Sequence, residues 1–301
     1  MSFLSLYCRL RLLGKHKLIP KYVLSPPDSV VIPFHGDDYI DEAILCSEFA
    51  SRHVKELKEV IIVSDTELNL STLEKLEERV KYKKIKITYN GPENHNYKKI
   101  FLSRLCKIQC SQFASYEKVL VIDSDLLLLQ TPKLFWPKNG VSGSFRKGSM
   151  IAKFKQSGYK IKPSSLKNTF RPYIKEHLNG AFMAAKKTIW SKLSDKWMEY
   201  YLDIWTKLPD NQPPTDQLPL TCALDHLNLK TFDAGNWVNW PVSKKIGGKP
   251  FAIPPEVIGA HGGFPLSEWR KYIEDKQAKL LFKGDDYTRK VRYLEDRKKI
   301  T

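Results

Sequence analysis

The stretch Lys118-Val119-Leu120-Val121-Ile122-Asp123-Ser124-Asp125-Leu126-Leu127-Leu128-Leu129 constrains this chain more than any other. A short run of Val, Leu and Ile reads as a buried strand. Two carboxylates follow it at once, and such groups do not stay inside a sheet without neutralising partners. They fit where the strand ends and the chain turns into a cleft, which in an open α/β sheet is where ligands bind. Carboxylate oxygens at this spacing suit a hard divalent cation such as Mg²⁺ or Mn²⁺, which can then hold phosphates. An Asp-Ser-Asp turn that only caps an element end is the competing explanation. The apolar runs on both sides favour the metal.

Upstream, strand and helix patterns alternate. Residues 29–34 form a first buried strand, followed by the loop His35-Gly36-Asp37-Asp38-Tyr39. Residues 40–53 have helical spacing, with Ile44, Leu45 and Phe49 inward. A second strand covers 60–64 and ends in Ser64-Asp65. Residues 71–80 read as a helix with Ser71 as cap and Glu74 completing a capping box. A third strand is expected over 84–89, a helix over 97–113 with Phe101, Leu105 and Ile108 on one face, and the fourth strand over 118–122. This alternation, at crossover spacing, predicts an α/β fold with a doubly wound, mainly parallel sheet flanked by helices. No Gly-x-Gly-x-x-Gly follows the first strand and no Walker A loop is present, so nucleotide binding of those two kinds is excluded.

Downstream, residues 145–175 are Lys-rich, with Gly148, Gly158 and Pro163, and read as a long basic insertion beside the cleft, a lid or acceptor platform or equally a plain solvated basic loop. Asn179-Gly180 opens another apolar strand running to Ala185. Residues 188–205 form an amphipathic helix, and the stripe of Trp190, Leu193, Trp197, Tyr201 and Leu202 is core rather than a cofactor box. Thr215-Asp216-Gln217 starts a further helix, 231–240 is extended and aromatic, and Ile258-Gly259-Ala260-His261-Gly262-Gly263 is a small-residue loop. The expected organisation is an N-terminal segment over 1–28, a catalytic domain over 29–265 containing the 118–129 strand-turn and the 145–175 insertion, and a charged helical tail over 266–301.

The formal net charge of +17 favours phosphate-bearing substrates, anionic membrane surfaces or nucleic acid as partners, without choosing among them. Five Cys without a Cys-x-x-Cys pair read as reduced thiols of a reducing compartment. No run has the length of a transmembrane helix. Residues 1–13 are apolar but interrupted by Arg9 and Arg11, so they lack a signal-peptide core. Their Leu, Tyr and Arg side chains would suit peripheral contact with an anionic membrane, although packing against the domain is the plainer expectation. The localisation expected is cytoplasmic, at most peripheral to a membrane.

Four local signals then fall in order: the Asp-Ser-Asp turn, the Asn179-Gly180 strand start, the Thr215-Asp216-Gln217 helix start and the His261-Gly262-Gly263 loop. Together they resemble the GT-A glycosyltransferases, most closely glycosyltransferase family 8, the group of glycogenin and of bacterial lipopolysaccharide galactosyltransferases. The resemblance runs from about Val30 to about Trp269 and implies a GT-A, nucleotide-diphospho-sugar transferase fold. It implies that Asp123 and Asp125 hold Mn²⁺, or Mg²⁺, with His261 as a third ligand. It places Ser124, Tyr39, Asp65 and Arg104 with the donor: Tyr39 stacked on the base, Asp65 contacting the base, Arg104 near sugar and phosphates. It puts Asn179 on the donor sugar, and Asp216 and Gln217 beside the anomeric carbon. Read from the residues alone, Tyr39 could be an edge aromatic, Asp65 or Asp216 a helix N-cap, Arg104 an exposed helix position and Asn179 a turn. The Gln after Asp216 is not explained by capping.

One departure stands out. Where the family motif after the His has a Gly and then a diphosphate-neutralising Lys, this chain has Phe264 and Ser267. Arg270, Lys271, Arg146 and Lys147 are the candidate substitutes. The activity implied is metal-dependent transfer of a sugar from a nucleoside-diphosphate sugar, a UDP-sugar first, to a hydroxyl of a glycan, glycolipid or protein, with retention of anomeric configuration. Three alternatives carry their own signatures. Nucleotidyl transfer would need a Gly-rich phosphate loop, which His35-Gly36-Asp37 is not. A transferase that binds donor without turnover would fit the missing Lys. A basic polyanion-binding protein would show salt-dependent, metal-independent affinity, with 145–171 as its only candidate stripe; nucleic acid is not the expected partner.

Overall fold

The computed structural model describes residues 24–74, 76–88, 97–147, 176–206, 215–241 and 256–261. The N-terminal segment before Leu24, most of the basic insertion, Gly262-Gly263 and the charged tail lie outside the described residues. So do Phe264, Ser267, Arg270 and Lys271.

The centre is a seven-stranded sheet ordered β10-β8-β9-β5-β2-β3-β4. Its strands are β2 (Ser29–Phe34), β3 (Glu59–Ser64), β4 (Val80–Lys84), β5 (Lys118–Ile122), β8 (Gly140–Lys147), β9 (Glu176–Lys186) and β10 (Lys230–Asp233). Parallel pairing runs through β5-β2-β3-β4 and β8-β10, and β9 is antiparallel to both β5 and β8. The doubly wound, mainly parallel sheet expected from the alternation is therefore present, with one antiparallel strand inserted at its middle. Short strands β1 (Leu24–Ser25) and β7 (Leu134–Phe135) pair with each other, and β6 (Leu126–Leu128), β11 (Trp240–Pro241) and β12 (Gly259–His261) make a small third sheet.

Alternate side chains of the central strands feed two cores. Val30, Ile32, Val60, Ile62, Leu120 and Ile122 pack on one face under α1 (Ile40–His53). Val31, Ile61, Val63, Val119 and Val121 pack on the other under α3 (Lys98–Gln109) and α4 (Lys187–Trp205), with α5 (Gln217–His226) beside them. Burial on both faces is why these strands are unbroken apolar runs rather than alternating ones. Trp190, Leu193, Trp197 and Tyr201 are buried and are core, whereas Leu202, expected in the same stripe, follows Tyr201 by one position, turns off that face and is exposed.

Several boundaries differ from expectation for identifiable reasons. The third strand is Val80–Lys84, not 84–89, because its register is set by β3, with Val80 opposite Val60 and Lys84 opposite Ser64. It is the sheet's outer strand there, and its lysines blunt the edge. The helix expected over 71–80 is the short α2 (Leu70–Leu73), capped by Asn69, whose Oδ1 accepts from Thr72 N at 2.8 Å. Ser71 donates its hydroxyl to Asn69 instead of capping. In α1 the inward residues are Ala43, Leu45, Cys46 and Phe49, and Ile44 is half-buried. The small-residue segment around Gly259 is a strand rather than a loop: a Cβ there would stand 2.3 Å from Val238 O, so only glycine lets β12 lie against the 236–238 turn.

Two features open a cleft at the carboxyl ends of β2 and β5. Their pairing stops at Val31 opposite Val121, so the strands part before Pro33. Pro33, which has no N–H to offer, sits in the part of β2 that β5 no longer follows. On either side of this gap the strand order runs in opposite directions, the switch point at which open α/β sheets bind ligands.

At the opposite end of the sheet, sequence reading passed over Glu59. Its carboxylate is fully buried and accepts from Ser29 Oγ at 2.8 Å, Ser115 N at 2.6 Å and Lys81 Nζ at 3.0 Å. Burial pushes its pKa up, but the donors of Ser115, Ser29 and Lys81 outweigh that and hold it below the ordinary 4.5. A depressed folded value means that its contribution to stability is complete above pH 4.5 and is lost as pH falls through the folded value. Thermal melts between about pH 6 and about pH 3 are expected to show a smaller acid-induced loss for Glu59→Gln than for the wild type, with the variant less stable at neutral pH.

Candidate active site

The turn that follows β5 is tight. Asp123 N donates to Ala181 O at 3.1 Å, and Leu126 N donates to Asp123 O at 3.0 Å. From behind, Cys46 Sγ of α1 donates to Ser124 O at 2.8 Å. After the turn the chain leaves the central sheet as β6. There it pairs with β12 so that Leu126 faces His261. This pairing brings a histidine from the far end of the described chain to Asp125, with His261 Nε2 3.2 Å from Asp125 Oδ1. One ligand atom each from Asp123, Asp125 and His261 lies within 4.8 Å of the others, a spacing that fits one divalent ion bound by two hard oxygens and one imidazole. Asp125 is held below the usual carboxylate range: burial raises it, and the His261 contact overcomes this.

Beside these ligands lies a second polar group. Asp216, at the start of α5, is 4% exposed, yet its side chain caps nothing. Instead its Oδ2 stands 3.0 Å from Lys107 Nζ and 3.8 Å from Arg104 Nη1. Lys107 is also 4% exposed and reaches Asp123 Oδ1 at 2.6 Å with the same ammonium. Burial pushes the Asp216 carboxyl up, but Lys107 and Arg104 beside it hold it far below the usual range. Burial lowers Lys107, and Asp123 and Asp216 more than restore it, so it stays charged. Gln217 Nε2 donates to Asn179 Oδ1 at 3.0 Å. Gln217 Oε1 and Arg104 Nε are buried without a hydrogen-bond partner among the described residues.

All these groups face one cleft of about 520 Å³. Of the residues singled out from the sequence, Tyr39, Arg104, Asp123, Ser124, Asp125, Asn179, Asp216, Gln217 and His261 all line it. Tyr39 lines the cleft and is 50% exposed. Asp65 is the exception. Its Oδ1 takes His35 Nδ1 at 2.7 Å, and it is His35 rather than Asp65 that lines the cleft. The cause is register: β2 and β3 end with Phe34 opposite Ser64, which puts the next residues of both strands side by side. Asp65 therefore meets the cleft through His35.

Sequence reading missed Lys107, His35 and Cys46. Lys107 had one available signal: it follows Arg104 by one helical turn and sits between the buried Cys106 and Ile108. Among the described residues the cysteines Cys46, Cys106, Cys110 and Cys222 are unbridged and buried. Arg146 and Lys147, named as substitutes for the absent lysine, belong to β8, and their side chains lie outside the described residues. No helix among the described residues is long and apolar enough to cross a membrane.

No protein-family model matches the chain, and no curated protein matches it by sequence. Solved structures do match it. An active-site mutant of LgtC superposes with TM-score 0.51 at 12% identity, covering 85% of this chain and 94% of that one. The apo form of the glycosyltransferase GlyE of Streptococcus pneumoniae superposes with TM-score 0.50 at 14% identity, covering 85% of this chain. This chain spans 62% of the length of the GlyE chain. At these identities the likeness establishes the fold, which is that of the GT-A glycosyltransferases.

Proposed function

We propose that the protein is a metal-dependent glycosyltransferase that moves a sugar from a nucleoside-diphosphate sugar, a UDP-sugar first, to an acceptor hydroxyl on a glycan, glycolipid or protein. The observation that carries this reading is the adjacency, in one cleft at the switch point, of the Asp123/Asp125/His261 set and the Lys107-backed Asp216-Gln217 pair. The first suits a cation and diphosphate. The second suits a sugar: Gln217 Oε1 is an acceptor without a donor among the described residues, and a sugar hydroxyl supplies one.

Asp123, Asp125 and His261 would hold Mn²⁺ or Mg²⁺, which supplies Lewis-acid neutralisation of the departing diphosphate. The remaining chemistry falls to the chain's own groups. Apart from the histidines and the exposed Lys99–Asp38 pair at the rim, three carboxylates, Asp123, Asp125 and Asp216, face two fixed cations, Lys107 and Arg104. Counted over the described residues, the metal-free cleft is therefore net negative and opposes diphosphate; one divalent ion reverses the sign. Donor binding is expected to require metal for this reason. Arg104, whose buried Nε has no acceptor among the described residues, is the candidate donor to the sugar-phosphate junction. The bond from anomeric carbon to diphosphate oxygen breaks, the bond from acceptor oxygen to the same carbon forms, and the acceptor hydroxyl's proton passes to the departing diphosphate. Positive charge develops on the ring as in glycoside hydrolysis. Asp216, kept anionic by its two cations, stabilises that charge, and Gln217 with Asn179 orients the sugar. Retention of configuration is carried over from the resemblance to glycosyltransferase family 8. Tyr39 offers a stacking face for the base, and His35, held by Asp65, presents its remaining ring nitrogen nearby.

A screen of UDP-, GDP- and CDP-sugars with Mn²⁺, read as release of the nucleoside diphosphate, tests the reading. Release from one donor class, abolished by chelation, is the expected result. Folded protein that releases none, with or without added glycan acceptors, would overturn it.

A further inference from the structure

Lys107 is an unusual residue for its place. It sits on a helix whose other inward residues, Phe101, Leu105 and Ile108, are apolar, and yet its ammonium is buried. It touches two carboxylates from different elements, Asp123 after β5 and Asp216 before α5. A third element is shaped to admit it. Gly180 of β9 leaves the space in which the pair meets: a Cβ at that position would stand 3.0 Å from Lys107 Nζ and 3.1 Å from Asp216 Oδ2. The Asn179-Gly180 dipeptide, which in sequence resembled a strand start, lies inside β9, which begins at Glu176. Its glycine serves the ion pair, and its asparagine serves Gln217.

We infer that Lys107 is a positioning residue that ties the metal-binding turn to the sugar-side carboxylate and, as a fixed cation on Asp123, holds down the affinity of that turn for a divalent ion. This rests on the proposed function, since it assigns a role within the same site. Two effects of removing the ammonium oppose each other. Asp123 loses a partner that fixes its rotamer, which weakens metal binding by a few-fold. The incoming ion loses a like charge a few ångströms away in a shielded cleft, which strengthens binding by more than that. The backbone of Asp123 remains held by Ala181 and Leu126 in either case, so the second effect wins.

The test uses Mn²⁺ alone as probe, followed by its electron paramagnetic resonance or by calorimetry, on the full chain. Lys107→Gln is expected to bind Mn²⁺ on the order of tenfold more tightly than wild type, while its turnover falls because Asp216 is no longer fixed relative to the metal turn. A residue that only supports the fold would not strengthen metal binding. Because Lys107→Gln leaves two carboxylates under-neutralised and could fail to fold, Lys107→Gln/Asp216→Asn is compared with Asp216→Asn alone, where the same tightening is expected. Gly180→Ala, which crowds the pair without changing charge, is expected to lower turnover with Mn²⁺ affinity within about twofold of wild type. Unchanged or weaker Mn²⁺ binding in a folded Lys107 variant, with wild type binding the ion, overturns this inference and leaves the proposed function standing. A folded wild type that binds no Mn²⁺ overturns both.

Discussion

Asp125→Ala is expected to abolish detectable Mn²⁺ binding and to reduce sugar transfer by roughly a thousandfold or more, with little change in stability. The asymmetry follows from where the residue sits. The Asp125 side chain is half exposed, and its partner His261 is its only ion pair among the described residues, so removing it breaks no core contact. Its loss leaves Asp123 and His261 as two ligands, and Asp123 is already shared with Lys107. Charge neutralisation at a departing diphosphate is worth several kcal/mol, and about 4 kcal/mol corresponds to roughly a thousandfold in rate. Denaturant unfolding of wild type and variant, alongside Mn²⁺ titration and turnover, checks both halves. A large loss of stability would mean that the carboxylate serves the fold instead.

Trp197→Ala is expected to have the opposite profile, costing about 3–5 kcal/mol of stability. Its ring is fully buried in the core under the α3–α4 face. Its Nε1 also donates to Asp216 O at 2.9 Å, so the core residue fixes the backbone at the start of α5. Trp197→Phe separates the two contributions. It keeps most of the apolar volume and loses the hydrogen bond, for about 1–2 kcal/mol. Because Asp216 and Gln217 are set by that backbone, the Phe variant is expected to lose turnover while its Mn²⁺ affinity stays near wild type. Urea unfolding gives the first quantity, and steady-state kinetics with Mn²⁺ titration give the other two. Equal losses of metal affinity and turnover would refute this division of labour.

The parts of the molecule that could be read from the sequence were those fixed by local chemistry. Strands buried on both faces announce themselves as apolar runs, and β2, β3 and β5 fall where such runs were marked. A carboxylate pair at the end of one has few places to go. The amphipathic helices α1, α3 and α4 were legible from periodicity. Pairings created by the fold were not. That His35 meets Asp65 depends on the equal ends of β2 and β3, and no residue type encodes it. Edge strand β4 was misplaced because lysines alternate along it and weaken the apolar signal. Lys107 looks like any helix-surface lysine until Asp123 and Asp216 arrive from distant parts of the chain. Asp216 itself sits where an N-cap would, and only the structure shows its carboxylate turned to the cations.

The central claim is that this cleft binds a nucleoside diphosphate through a metal. Calorimetric titration of the wild-type protein with UDP, GDP and CDP, each with and without Mn²⁺, measures it directly. The account predicts binding of one nucleotide, UDP first, in the presence of Mn²⁺ and at least tenfold weaker binding in its absence, because the described residues leave the metal-free cleft net negative. No binding of any of the three to folded protein, or binding that Mn²⁺ does not alter, would contradict it.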